Sequence, residues 1–564
     1  MALRLLHAAP RARRTARATV TVPPTKLLVI GIDAASPALL DAWTADGTLP
    51  NLAALVARGL VGRTRGIDGF FVGSTWPSMY TGTNPARHGF HYQVQLVSGS
   101  YRLEDRARGE FVERDPFWRV LSRAGKRVAV LDVPLTKLET ELNGVQVVEW
   151  GGHDAFFGYA TMPPALALDI EQRFGRHPAG ASCDANGRGA HEYLALTASL
   201  EEGVARKAEW TVELLARGGW DLFMTVFTES HCAGHQCWHL HDPGHPSHDP
   251  AVATITGDAL QSVYRSIDVA IGRLVDSAGE AQIVVFAAHG MDTRYGSHFL
   301  LRELLCALGV TAPLRVALRT RLRGALAGLW RALPQAVRSK LSPLRDRVSP
   351  NEDTRAQGPA IGVDLDRSRC FPLANGLAVG GVRLNLVGRE PRGVLEPADA
   401  ERFCAKLETD LLAIVDCITG ERLVRRVVRT REVYAGERID ALPDILIEWS
   451  DAIAHGTTAL SDGAAAQVRA QSPRIGVIEG KNDYGRSGEH RSGGWFLAAG
   501  PGVRVGRMTR EPSVLDLAPT FTRLLGVELP AADGESIEEI VRDPARSEAS
   551  LSARSSNSPS LGTG

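Results

Sequence analysis

The sequence predicts an α/β protein: a mostly parallel sheet sandwiched by helices, with a smaller inserted α+β region. Three observations predict it. Short, wholly apolar runs such as "LLVIGI", "LFMTVF" and "IVVFAA" recur along the chain, and a strand that is apolar throughout is one buried on both faces. Helix-length stretches lie between these runs, and strands alternating with helices build parallel sheets. The runs end in polar groups, at the edge where such sheets hold their ligands.

The elements follow in order. "KLLVIGID" (26–33) is a buried strand ending in Asp33. "PNLAALVARG" (50–59) is a helix with Pro first and Gly last, the usual terminus preference. "KRVAVLDVP" (126–134) and "VQVVEW" (145–150) are strands. "DLFMTVF" (221–227) and "QIVVFAAHG" (282–290) are two more, with a helix over 255–278 between them. "RELLCAL" (302–308) opens a helix, "GWFLAAGPG" (494–502) is a strand and "VLDLAPTFTRLLGV" (514–527) is a helix. The chain divides into a core of 26–310 and 440–542, a basic helical insertion at 311–360 and the smaller α+β region at 361–439. A basic flexible N-terminus (1–25) and a Ser-rich disordered tail (543–564) flank them.

Of 564 residues, 44% are apolar, which is the composition of a globular protein. The formal net charge of +0 gives no argument for a nucleic-acid partner. Seven cysteines occur without a C-x-x-C pair, so neither a disulfide framework nor a thiolate zinc site is indicated, and a reducing, cytoplasmic setting fits. The Arg-rich start lacks the apolar core of a secretory signal, although its freedom from acids suits an organelle transit peptide. The segment 313–348 carries eight arginines and one lysine against a single acid, Asp346. It reads as a helical lid with a solvated basic face, or as a membrane-surface contact for anionic lipid or phosphorylated substrate.

Four constellations carry chemistry. Asp33 is a carboxylate at a strand end, a candidate site residue or a helix cap. In "VGSTWPSMYTGTNPARHG" (72–89), Ser74 and Thr75 precede Pro77. With Pro77 as the first helical residue, a hydroxyl there sits at a helix N-terminus that favours an anion; it serves as nucleophile or as N-cap. "ESHCAGHQCWHLHDPGHPSHDP" (229–250) holds six histidines. His231 and His235 share one face if the segment is helical, and imidazoles bind zinc and similar ions. His239, His241, His245 and His248 read as loop residues. His289 in "FAAHGM" and His490 in "GRSGEHRSGG" lie near glycines, which let a ligand approach closely.

The order of strand-Asp, hydroxyl loop with T-G-x-x-P-x-x-H-G, H-x-x-x-H, H-G-M, G-x-H-R and V-x-D-x-A-P-T resembles the alkaline phosphatase superfamily. Within it the sequence is most similar to type I phosphodiesterase/nucleotide pyrophosphatases, with phosphohydrolase-phosphomutase and sulfatase relatives. The pieces are "VIGIDAASPALL", "TWPSMYTGTNPARHGF", "HCAGHQCWH", "FAAHGMD", "RSGEHRSGGWFLAAGPGV" and "SVLDLAPTFTRLLGV". The resemblance implies one or two divalent ions, zinc or else manganese, and a Thr or Ser that attacks a phosphoryl group in line. It places one ion on His231, His235 and His490, and the other on Asp33, His289 and the hydroxyl loop. It also implies a small phosphorylated or sulfated substrate.

The sequence departs from that pattern in three places. His231 stands where the family has Asp. Ala288 stands where it has Asp, with Asp292 and Glu229 as the acids nearest to hand. Counting back from Thr81–Gly82 without gaps puts the nucleophile position on Val72, whereas Thr75 restores the T-x-P pattern and Ser74 is the neighbouring choice. The expectation is a metal-dependent phosphate-ester or diester hydrolase that uses Thr75 or Ser74. The alternatives are a phosphoryl or sulfuryl transferase, and a degenerate member that binds a phosphorylated ligand without turnover. "VRLNLVGREPRGVL" (382–395) resembles part of the smaller region of those relatives, with Arg369, Asn385 and Arg389 as substrate contacts or as framework.

Overall fold

Leu27–Ile32 is buried along its whole length and lies in the middle of a nine-stranded sheet. The computed structural model describes residues 25–541 apart from 107–111, 152–154, 181–183, 186, 315–361 and 461–463. The strand order is Gly506–Arg507, Gly59–Thr64, Gly494–Ala499, Gln282–Ala287, Leu27–Ile32, Leu222–Phe227, Val128–Leu131, Gly144–Val148 and Ala160–Met162. From Gln282–Ala287 to Gly144–Val148 every neighbouring pair is parallel. Gly494–Ala499 and the edge strand Ala160–Met162 run antiparallel to their neighbours.

Side chains alternate between the two faces of a strand, and the core splits accordingly. Leu27 and Val29 join a cluster with Trp76, Trp118 and Phe521, beneath helices Thr75–Thr81, Phe117–Arg123 and Leu517–Leu524. Leu28, Ile30 and Ile32 join another with Leu200, Tyr264 and Ile271, beneath Ala190–Ala216 and Ala259–Ala278. This is the expected sheet between two helical layers.

The smaller region is a four-stranded antiparallel sheet ordered Cys370–Leu373, Val379–Leu384, Ile445–Trp449 and Val424–Arg429. Helix Ala400–Leu412 packs against it through Phe403, Leu407 and Leu411. Ile445–Trp449 pairs with both Val379–Leu384 and Val424–Arg429, so this sheet draws on chain beyond residue 439. Arg389 grips Asp444 at 2.6 and 2.7 Å, and Asn385 donates to the carbonyls of Leu365 and Ser368. Both are framework of this sheet. The basic segment from 315, the N-terminal residues 1–24 and the tail from 542 lie outside the described residues. Among the described residues no helix is long and apolar enough to cross a membrane.

The five parallel strands end on one side. Asp33, Asp132, Glu149, Thr228 and Ala288–His289 follow them directly. Ala34, Asp132, Leu135 and Glu149 take positive φ angles of 51°, 58°, 55° and 54°. Such a conformation costs about 1–3 kcal/mol for a residue with a Cβ and persists only where its surroundings enforce it. The strain therefore gathers at the edge that carries the polar groups.

One buried carboxylate locks two helices of this scaffold. Helix Pro50–Ala57 has no side-chain cap of its own. Asp268, on Ala259–Ala278, accepts from the Asn51 and Leu52 amides at 3.1 and 2.8 Å and from Asn51 Nδ2 at 2.8 Å. A charged acceptor suits a helix N-terminus, and its removal strands buried donors. Asp268→Ala is expected to lower the unfolding free energy by about 2–4 kcal/mol, measured by urea denaturation.

Candidate functional site

Helix Glu229–His241 starts just after strand Leu222–Phe227 and carries His231 and His235 one turn apart. The helix includes His239 and His241, so it runs further than the predicted loop. His231 Nδ1 lies 2.7 Å from Asp33 Oδ2, and His235 Nδ1 lies 2.9 Å from the Gly488 carbonyl oxygen. Both partners are acceptors, so each Nδ1 hydrogen points outward and each Nε2 turns toward the centre of the group. The two Nε2 atoms face each other at 2.9 Å. His490 completes the group, with the three ligand atoms within 4.8 Å of one another.

His490 arrives from a distant part of the chain. Its strand, Gly488–Arg491, pairs antiparallel with Gly290–Thr293. A Cβ on Gly488 would stand 2.2 Å from the Gly234 carbonyl oxygen, so only glycine allows the strand this close to the histidine helix. Behind it, Arg294 and Glu489 form a fully buried ion pair. Tyr295 donates to the His490 carbonyl at 2.8 Å.

Asp33 is nearly inaccessible. Its Oδ1 accepts from Trp76 Nε1 at 2.7 Å. Burial by itself would raise the Asp33 carboxyl. The charge and hydrogen bond of His231, with help from His289 and Trp76, hold it down at about 2. Gly31 makes the Trp76 contact possible, since a Cβ there would meet Val226 at 2.9 Å and the Trp76 ring at 3.1 Å. His289 is buried, with Nε2 4.0 Å from Asp33 Oδ1, and neither ring nitrogen has a hydrogen-bond partner among the described residues. Burial, together with His231, pushes it down to about 4 against the pull of Asp33, so the ring is neutral.

These groups open into a cavity of about 140 Å³. Asp33, His231, His289, His490 and Arg486 form its polar end, and Trp76, Phe90, Tyr92, Leu135 and Phe156 its apolar wall. Arg486 Nη1 lies 3.2 Å from His235 Nε2, and the same guanidinium holds Asp184 at 3.0 Å. Arg486 and Trp76 were not picked out as site residues from sequence. Trp76 stands inside the quoted hydroxyl loop and Arg486 four residues before His490, so proximity to the motifs was the available signal.

The hydroxyl loop turns differently from its sequence reading. The helix begins at Thr75, with Pro77 as its third residue rather than its first. Thr75 donates to the Phe71 carbonyl at 2.8 Å. Ser74 donates to the Phe90 carbonyl at 3.0 Å and stands among Ser78 and His88. Neither lines the cavity, whereas Val72 and Gly73 do. Ala288 is fully buried. Asp292 is exposed beside Arg491 at 3.7 Å, and Glu229 pairs with His177 at 3.2 Å; neither of the two lines the cavity.

The remaining histidines of the 229–250 stretch are framework. His241 bonds Asp258 at 2.7 Å, His245 donates to the Ser487 carbonyl at 3.0 Å and His248 donates to the His239 carbonyl at 2.6 Å.

The chain belongs to the type I phosphodiesterase/nucleotide pyrophosphatase family, whose model matches residues 27–452. This is the branch that the order of motifs resembled, and the family is one of phosphoesterases. Comparison with curated proteins gives no match. Among solved structures, phosphonoacetate hydrolase from Sinorhizobium meliloti with phosphonoacetate is similar at 15% identity and a TM-score of 0.48, over 90% of this chain and 96% of that one. Alkaline phosphatase PafA aligns at 12% identity and 0.49, over 92% and 99%. Murine ectonucleotide pyrophosphatase/phosphodiesterase 5 with AMP aligns at 11% and 0.44, over 92% and 99%. His490 lies beyond the span of the family match.

The loop beside the cavity also sets an acid limit. Burial pushes His88 from 6.5 down to about 3, with Arg114 and His91 adding to the effect against a backbone hydrogen bond. The unfolded chain therefore binds a proton at His88 between about pH 3 and 6.5 that the folded chain does not. Stability rises with pH across that window. In His88→Gln, the slope of unfolding free energy against pH is expected to flatten by up to about 1.4 kcal/mol per pH unit, read from urea titrations at a series of pH values.

Proposed function

We propose that the chain hydrolyses small phosphate esters or diesters with the aid of a divalent ion, zinc or manganese, held by His231, His235 and His490. One observation carries the reading. The outer hydrogen bonds of His231 and His235 bring their Nε2 atoms within 2.9 Å of each other, and with His490 the three ligand atoms lie within 4.8 Å of one another, close enough to share one cation. Imidazole donors suit both ions, zinc better. When bound, the ion supplies positive charge to the transferred phosphoryl group.

The chain's own residues supply the rest. Arg486 reaches the polar end of the cavity with a second positive charge for a non-bridging oxygen. Phe90, Tyr92 and Phe156 offer an apolar wall to the leaving group. Val72 and Gly73 bring no hydroxyl to the cavity, and the Thr75 and Ser74 hydroxyls are engaged elsewhere. The attacking group in this reading is therefore water. A sulfate ester presents similar oxygens to the same groups, and transfer to an acceptor other than water would use the same residues.

A second reading, a member that binds a phosphorylated ligand without turnover, is favoured by Val72 and Ala288. Both readings meet one test. Wild type, supplied with Zn²⁺ or Mn²⁺, is assayed on p-nitrophenyl phosphate and bis(p-nitrophenyl) phosphate. Turnover that disappears in His235→Ala together with bound metal, and a KM raised about tenfold in Arg486→Ala, are expected. Metal bound with no turnover on either substrate, but with saturable binding of inorganic phosphate, would favour the binding protein.

A further inference from the structure

We infer that this centre is built for one ion, with Asp33 as the carboxylate that orients His231 and not as a ligand to a second ion. The inference rests on the metal reading above and deepens it. Both Asp33 oxygens already accept a strong hydrogen bond, Oδ1 from Trp76 and Oδ2 from His231, each at 2.7 Å. Both donors are held by the fold. Trp76 lies in the space that Gly31 leaves open, and His231 is fixed in a helix whose next turn, at His235, is bonded to Gly488. A metal on Asp33 would have to displace one of them or share an oxygen with it.

The other carboxylates at the cavity are spoken for as well. Asp132 accepts from the amides of Trp150 and Gly151 at 2.8 and 2.9 Å and pairs with buried Lys207 at 2.7 Å. Glu149 accepts from the amides of Phe156, Phe157 and Gly158. Asp292 and Glu229 face other partners, and Ala288 offers no donor atom. Beside Asp33, His289 at 4.0 Å is the imidazole that the three-histidine group does not already use, and both its ring nitrogens lack a hydrogen-bond partner among the described residues. One imidazole is a poor site, since zinc sites with three or four protein ligands are the rule.

The three-histidine group has what the second position lacks. His231 Nδ1 is backed by a carboxylate and His235 Nδ1 by a carbonyl, the outer contacts that fix tautomer and ring orientation in metal-binding histidines. Asp33 is thus a positioning residue that acts through His231.

The test is Zn²⁺ binding to chelator-treated protein, by calorimetry and elemental analysis, for wild type, Asp33→Asn and His289→Gln. Wild type is expected to bind one equivalent. Asp33→Asn is expected to keep one equivalent with affinity reduced about 10–100-fold, the effect of losing an outer partner. His289→Gln is expected to bind like wild type. Two equivalents in wild type would overturn the inference and leave the hydrolase reading standing. So would unchanged affinity in Asp33→Asn, or complete loss of binding in that variant with its circular dichroism intact. Should Asp33→Asn fail to fold, the wild-type and His289→Gln stoichiometries decide alone. No binding by wild type would remove the metal-dependent reading along with this one.

Discussion

The hydrogen bond between Asp33 and His231 is the contact on which the site depends. It joins the end of a central strand to the first turn of the histidine helix. By accepting from Nδ1 it turns the Nε2 of His231 toward His235. Remove it and the ring could rotate or change tautomer, and the convergence with His235 and His490 would lose its direction. The strand supplies the other half of the arrangement. A run of residues buried on both faces has one position for its terminal acid, and Gly31 gives Trp76 access to that acid.

Charge is buried around this contact in matched pairs. Lys207 sits among Asp132 and Glu229 with its side chain wholly inaccessible, and Arg294 faces Glu489 in the same way. Burying such pairs is costly, and equally well-packed apolar groups are often as stable. Their location gives them another use. Lys207 ties Asp132 at one strand end to the Val226 carbonyl near another. Arg294–Glu489 backs the strand that delivers His490. These pairs fix the positions of elements that meet at the cavity, where displacement would cost most.

Much of the sheet was legible because its strands are buried on both faces and therefore read as unbroken apolar runs. Leu27–Ile32, Leu222–Phe227, Gln282–Ala287 and Gly494–Ala499 stand where those runs predicted. Gly59–Thr64 passed unread because two glycines and an arginine interrupt it. The 27-residue helix Ala190–Ala216 passed unread because its buried residues include Gly203, Lys207 and Thr211, which interrupt the apolar stripe. The helical spacing of His231 and His235 was readable from i, i+4 alone. The hydroxyl loop was not: its direction depends on where the helix starts, and Ser74 and Thr75 bond to local carbonyls in a way that no motif encodes. The backbone amides that Asp132 and Glu149 accept from were equally invisible, since sharp turns bring them close.

The third imidazole has a consequence for the life of the chain. His231 and His235 belong to the first half of the sequence, while His490 follows the whole of the smaller antiparallel region. Its strand is held by Gly290–Thr293, some two hundred positions earlier. During synthesis the first two histidines are made well before the last. On the metal reading proposed above, they offer a cation only two nitrogen donors, and the third donor arrives only when the late segment docks. On that reading, tight retention of a cation would mark a polypeptide whose late strand has docked beside the early helix.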